Sequence, residues 1–184
     1  MRKGEPITTY TGIDFYILDP RSEDVEDIDI AHALSLMCRA NGHYIYFYSV
    51  AQHCLNCLQE ARARGFDARL QMAVLIHDGS EAYISDITRP VKQYLPTYMD
   101  YEYAIQSMLY EHYGVGVLTE EEKEAISAVD DTVLFYEFEV LHKRSFEKQQ
   151  PEKKAEFDFS ERSVRAVEEE FLRELKKLSA ALLQ

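Results

Sequence analysis

The sequence predicts an all-α domain: a helical bundle of five to six helices with one minor N-terminal β-hairpin. Three observations predict it. Successive windows place apolar residues three and four positions apart, the period of a helix with one buried face. Ser, Thr and Asp stand at the starts of these windows and Gly at their ends, where caps and stops are expected. Only residues 7–17, ITTYTGIDFYI, combine loose alternation with β-branched and aromatic side chains around a glycine, Gly12, and they read as the hairpin.

The elements follow in order. Asp19-Pro20 and a cluster of acids make a turn and loop. Asp27 stands as a candidate cap for a helix reaching about Arg39, with Ile30, Leu34 and Met37 on one face and Asn41-Gly42 as its stop. Phe47 to about Arg64 is the next helix, with Val50, Cys54, Cys57 and Leu58 spaced for burial and Gly65 ending it. Residues 67–84 read as one helix capped by Asp67, followed by a turn, Ser85-Asp86-Ile87-Thr88-Arg89-Pro90. Residues 97–113 form another, closed by Gly114. Thr119-Glu-Glu-Glu122 is a capping box with acids in the first turn, where they meet the positive end of the helix dipole, and that helix should run to about Lys143. Residues 148–158 are a polar connector. Ser160 is the expected cap of a last amphipathic helix, about 160–183, with Val164, Val167, Phe171, Leu175 and Leu178 apolar.

Length and charge bound the function. The 184 residues suit a single domain, 1–184, and a hydrophobic fraction of 46% supplies a core. Twenty basic against thirty-three acidic residues leave a net charge of −13, which argues against long nucleic acids and anionic membrane surfaces as partners. No apolar run reaches 18 residues, so no transmembrane helix is expected, and MRKGEPITTY lacks the apolar core of a signal peptide. Three cysteines, Cys38, Cys54 and Cys57, do not suggest a disulfide framework, and the expected compartment is a reducing cytoplasm.

Chemistry concentrates around His77-Asp78, which follows the apolar run Met72-Ala73-Val74-Leu75-Ile76. A buried ionisable pair needs partners, since unpaired buried charge is costly. On one continuous helix, Glu81 would share a face with both, at i+3 from Asp78 and i+4 from His77, and Asp86 follows just after. His53 lies on the preceding helix. Asp130 is set in another apolar run, Ile126-Ser-Ala-Val129 to Val133-Leu134-Phe135. Imidazoles and carboxylates together form a ligand set for a divalent transition metal.

The ordered set His53, His77-Asp78, Asp130 resembles the H…HD…D signature of the HD-domain metal-dependent phosphohydrolases. The stretch His77-Asp-Gly-Ser-Glu81-Ala-Tyr-Ile-Ser-Asp86-Ile-Thr-Arg-Pro-Val-Lys92 resembles a segment of the bacterial 5′-deoxynucleotidases, where an HD pair is followed by a glutamate, an aspartate and Pro-Val-Lys. Upstream, Ile30-Ala-His-Ala-Leu-Ser35, Cys38-Arg39, Gly42-His43 and Tyr48-Ser-Val-Ala-Gln-His53 are similar to the matching helix, arginine and first metal histidine. The likeness covers roughly residues 10–140.

This resemblance implies an HD fold with one divalent ion (Mn, Co, Ni, Fe, Zn or Mg) in a metal-site core of about 27–146. His53, His77, Asp78 and Asp130 would be the ligands. Asp131 is the neighbouring candidate for the last place; Ala128-Val129-Asp130 lines up with the family's small-apolar-Asp pattern and favours Asp130. Glu81 would be the general acid/base, and Asp86 would orient the water or hold the sugar hydroxyl. Arg39 would bind phosphate oxygens with its planar fork. Lys92 and His43 would add positive charge, the alternatives being a solvated turn residue and a helix-end cap near Asn41. The implied activity is phosphate release from nucleotides, chiefly 5′-(deoxy)nucleoside monophosphates. The alternatives are a deoxynucleoside triphosphohydrolase and an inactive HD-fold nucleotide-binding or scaffold protein. The implied partner is a small nucleotide, and a homodimer is the favoured assembly.

Other features read as structural. His32, His112 and His142 sit on or at the ends of helices. Cys54-Leu-Asn-Cys57 lies mid-helix with no second CxxC, so buried helical cysteines are expected, although His53 and Cys57 at i, i+4 could share a metal. Gly114-Val-Gly116 lacks the third glycine of a dinucleotide fingerprint. Tyr94, Tyr98, Tyr101 and Tyr103 read as core and interface rather than a nucleobase platform. Residues 31–97 carry six basic against five acidic groups, net +1, while the rest of the chain carries −14. The acidity thus lies away from the segment that supplies most of the candidate site, and a small phosphate ester remains compatible with it.

Overall fold

The computed structural model describes residues 2–144 and 149–183. Residues 145–148, where the expected metal-site core ends and the polar connector begins, lie outside the described residues. A two-stranded antiparallel hairpin comes first, β1 (Ile7–Thr8) and β2 (Asp14–Phe15), with Ile7 opposite Phe15. Gly12 turns the chain between them at φ +90°, a conformation costly for any residue with a Cβ. Eight helices follow among the described residues: α1 (Asp27–Leu36), α2 (Val50–Ala63), α3 (Ala68–Leu75), α4 (Glu81–Ile84), α5 (Arg89–Lys92), α6 (Pro96–His112), α7 (Glu120–Leu141) and α8 (Val164–Leu182). Two of them, α4 and α5, are single turns, so six longer helices build the all-α fold.

Helix α2 lies at the centre, with eleven of its fourteen residues buried, and packs against α1, α3, α7 and α8. Its start is defined by Ser49, whose side chain accepts from the Gln52 N–H, and Gly65 follows its end at φ +80°. Asp67 caps α3 through the Leu70 N–H. The Thr119–Glu122 capping box forms as the spacing predicts, with both reciprocal bonds present. Helix α8 packs on α1 and α3 of its own domain, burying Val167, Phe171, Leu175 and Leu178.

Five expectations need correction. Asp27 is the first residue of α1 rather than its cap; Glu26 holds that position without a side-chain hydrogen bond. The first helix ends at Leu36 rather than near Arg39. Met37 is extended, Cys38 bridges Ser49 antiparallel, and Arg39 N–H donates to the Tyr48 carbonyl at 2.9 Å. A 3-10 turn, Arg39–Gly42, follows, with Ala40 and Asn41 in the left-handed region. The expected helix 67–84 is broken at residues 76–80, so His77 and Asp78 sit in a turn. The break is held from α6: Gln106 donates to the Ile76 carbonyl at 2.8 Å and accepts from Ser80 N–H at 3.1 Å. One amide thereby serves two backbone groups at the break, which would be costly to bury unpaired. The cap of α8 is Ser163 instead of Ser160, whose hydroxyl is engaged by Asp158. None of the four tyrosines is buried; Tyr94 and Tyr103 are exposed, and Tyr98 donates to the Ser85 carbonyl.

Candidate metal centre and adjoining cavity

Three pieces of backbone converge on one point. The middle of α2 carries His53, the 76–80 turn carries His77 and Asp78, and α7 carries Asp130. His53 Nε2 lies 3.1 Å from Asp130 Oδ1 and 3.9 Å from Asp78 Oδ2. His77 Nε2 lies 3.4 Å from Asp78 Oδ2 and 3.9 Å from Asp130 Oδ1. The two imidazole centroids are 5.3 Å apart. The four expected ligands are therefore brought together. The turn does what the helix-face argument would not have done: it swings Asp78 and His77 toward the same point although they are adjacent in sequence.

Each imidazole is oriented from behind. His77 Nδ1 is 2.7 Å from the Val74 carbonyl, an acceptor only, so Nδ1 carries a proton and donates. Its Nε2 is buried and without a hydrogen-bond partner, facing the carboxylates. His53 Nδ1 donates to Glu137 Oε1 at 2.7 Å, which likewise directs Nε2 to Asp130. A metal-binding histidine commonly shows this pattern, with the far nitrogen donating to a carbonyl or carboxylate and fixing the ring. The orphaned Nε2 of His77 and the N2O2 donor set fit a divalent ion.

Glu137, fully buried, escaped the sequence reading. It accepts from His53, from Arg39 Nε at 3.0 Å and from Tyr44 Oη at 3.2 Å. Its signal was present: it stands seven residues, two helical turns, after Asp130 and so on the same face of α7. Burial raises its carboxyl pKa, but the cations of His53 and Arg39 outweigh burial and hold it at about 2. Arg39, delivered by the 3-10 turn, also reaches Asp78 Oδ2 at 3.3 Å and Asp130 Oδ1 at 3.5 Å. Asp131 is outside the cluster, half exposed, and pairs with Arg89 at 2.6 Å. Arg89, also missed, spans both aspartates through its contact with Asp130.

The cluster opens into a cavity of about 810 Å³ lined by Arg39, Asp78, Glu81, Asp86, Lys92 and Asp130, and also by Arg64 and Arg89. Such a volume suits a small organic ligand. Glu81 is 3% exposed, and one of its carboxylate oxygens, Oε2, is buried without a partner. Burial, reinforced by Asp78 and Asp86, pushes its carboxyl well above the usual range. Burial also raises Asp86. Lys92 is no freely solvated turn residue: it pairs with Glu102 at 2.5 Å and stands 3.8 Å from Glu81. His43 is exposed beyond the 3-10 turn and does not line the cavity, so the fold does not bring it to the other predicted site residues.

Burial opposes protonation of both histidines, and Arg39 opposes it at His53, yet Cys57, Glu137 and Asp130 around His53, and Asp78, Cys54 and Asp130 around His77, raise both well above an ordinary histidine. Asp130 shows the reverse: burial raises it, and the two histidines beside it, His53 at 3.1 Å and His77 at 3.9 Å, drive it well below the usual range. Of the remaining histidines, His32 pairs with Glu168 and stacks on Tyr10, His112 meets Ser22, and His142 packs against Tyr44 and Phe138.

The whole is an all-helical domain with a buried His/Cys/Asp cluster able to hold a metal ion, an arrangement compatible with an HD domain. No family model matches the chain. It is 40% identical over 110 residues to the uncharacterized protein YfdR of Escherichia coli, covering 59% of this chain and 58% of that one. It is 36% identical over 121 residues to an uncharacterized protein of Rhodobacter capsulatus, covering 62% and 61%. The chain thus spans about three fifths of the length of the curated relatives it matches. Among the described residues no helix is long and apolar enough to cross a membrane.

Proposed function

We propose that this protein is a metal-dependent phosphohydrolase of the HD class that releases phosphate from nucleotides, chiefly 5′-(deoxy)nucleoside monophosphates. The observation that carries the reading is the convergence of two oriented imidazole Nε2 atoms and two aspartate oxygens at the wall of a cavity large enough for a nucleotide. His53, His77, Asp78 and Asp130 would hold one divalent ion. When bound, such an ion supplies Lewis acidity toward a phosphoryl oxygen and an acidified water.

The chain's own groups divide the remaining work. Arg39 carries fixed positive charge into a site whose substrate is anionic, and its planar fork matches two phosphate oxygens. Glu81, buried and biased toward its protonated form, would exchange a proton with the attacking water or the leaving oxygen. Asp86, on the same cavity wall, orients that water or receives a sugar hydroxyl. Lys92, 3.8 Å from Glu81 and anchored by Glu102, adds charge at the phosphate end. Arg64 and Arg89 on the same wall favour one second reading, a triphosphohydrolase, since a longer phosphate chain calls for more cations. Three free thiols suit a reducing cytoplasm.

The test is a screen of nucleoside mono-, di- and triphosphates with Mn, Co, Ni, Zn and Mg, identifying the released anion. Orthophosphate from monophosphates supports the first reading and tripolyphosphate from triphosphates the second; no release from any pair refutes both. Glu81→Gln should keep the metal and lose at least about 100-fold in turnover, the scale of general acid–base catalysis. Full activity of that variant would remove Glu81 from the mechanism.

A further inference from the structure

The metal cluster contains a sulfur that the phosphohydrolase reading does not use. Cys57 follows His53 by one helical turn on α2, and its Sγ lies 3.4 Å from His53 Nε2. The side chain is fully buried. One donor atom each from His53, Cys57, His77 and Asp130 falls within 4.8 Å of all the others. Two donors on one tetrahedral zinc ion stand roughly 3.3–3.6 Å apart, from zinc–sulfur and zinc–nitrogen lengths near 2.3 and 2.0 Å. The His53–Cys57 contact at 3.4 Å and the His53–Asp130 contact at 3.1 Å sit close to those edges. His77 supplies a third donor, its Nε2, which is buried and makes no hydrogen bond.

The geometry points to two overlapping ligand sets in one site. His53, His77, Asp78 and Asp130 form a harder nitrogen–oxygen set. His53, Cys57, His77 and Asp130 form a softer set in which sulfur replaces the Asp78 oxygen. Thiolate prefers thiophilic ions such as Zn²⁺ and Cd²⁺, whereas Mg²⁺ and Mn²⁺ prefer oxygen. Cys57 is therefore a thiophilic-ion ligand: as its sulfur binds, the thiol proton passes to solvent, and Asp78 is released from coordination. Cys54 is a weaker candidate, because its group with His77 and Asp78 has only three members and leaves out His53. The identity of the bound ion thus selects which side chain completes the centre. The inference rests on the metal-binding part of the proposed function and adds a residue to it.

The test uses the full chain stripped of metal, with Zn²⁺ and Mn²⁺ affinities measured by chelator competition and Cd²⁺ addition followed in the near ultraviolet. Wild type and Cys54→Ser should show thiolate-to-cadmium charge-transfer absorption, and Cys57→Ser should lack it. Cys57→Ser, with Cys57→Ala as a second variant, should bind Zn²⁺ at least about tenfold more weakly while Mn²⁺ affinity stays within about twofold, by the preferences of sulfur and oxygen donors. Asp78→Asn should do the opposite, weakening Mn²⁺ more than Zn²⁺. Absence of the cadmium band in wild type, its survival in Cys57→Ser, or equal Zn²⁺ affinities overturns the role of Cys57 while metal binding stands. Failure of wild type to bind any of these ions overturns this inference together with the metal centre itself.

Discussion

Replacing Glu137 by glutamine keeps the side chain's size and removes its charge. The structure sets the cost. The carboxylate is fully buried and receives three donors, from His53, Arg39 and Tyr44. Its pKa falls from 4.5 to about 2 against the pull of burial, because His53 and Arg39 favour the charged form. At about 1.4 kcal/mol per unit this amounts to about 3 kcal/mol of folding free energy, with no solvent-screening discount for a fully buried group. A carboxyl depressed in the folded state contributes in full above its unfolded pKa and loses that contribution as the pH falls through the folded value. The window is therefore pH 4.5 down to about 2. Urea denaturation of metal-free protein should show Glu137→Gln less stable than wild type by about 3 kcal/mol at pH 7, with the gap narrowing progressively below pH 4.5. Metal affinity should fall about 10- to 100-fold, since the charged acceptor that orients His53 becomes a weaker, neutral one. Equal stability at pH 7, or a gap unchanged down to pH 2.5, would refute the reasoning.

Gly79 lies in the turn that presents His77 and Asp78, and a Cβ there would meet the Ile76 carbonyl at 2.9 Å and Leu109 Cδ1 at 3.0 Å. Gly79→Ala should cost about 1–3 kcal/mol in denaturation and weaken metal binding as the turn shifts; wild-type values in both would show that the turn tolerates the methyl. His53 and His77 are both raised well above the usual histidine value in the metal-free protein, burial notwithstanding, so at pH 7 an arriving ion must displace their Nε2 protons. Calorimetric titration with Mn²⁺ in buffers of different ionisation heat should report release of about two protons, and affinity should rise with pH; a buffer-independent heat would contradict the assignment.

The capping box of α7, the stop at Gly65 and the hairpin around Gly12 were legible because each depends on residues within a few positions. The break at 76–80 was not: Gly79 is its only local mark, and the side chain that stabilises it, Gln106, lies thirty residues from the carbonyl it serves. The early end of α1 was hidden for the same reason, since Cys38 and Arg39 are drawn into pairing with Ser49 and Tyr48. At the centre, the residue types that converge and their order were readable, while the partners behind them were not. Glu137 was accessible through its two-turn spacing from Asp130, but a lone glutamate on a long acidic helix looks like surface until the packing buries it. His43 shows the opposite limit: proximity to Arg39 in sequence does not carry through a turn with two left-handed residues.

The central claim is that His53, His77, Asp78 and Asp130 hold one divalent ion. Elemental analysis of the reconstituted, desalted protein measures it most directly, with Asp78→Ala and Asp130→Ala alongside. The account predicts about one manganese per wild-type chain and a large loss in both variants, because each removes an oxygen from a four-donor set. No bound manganese in the wild type, or full occupancy in both variants, would contradict it.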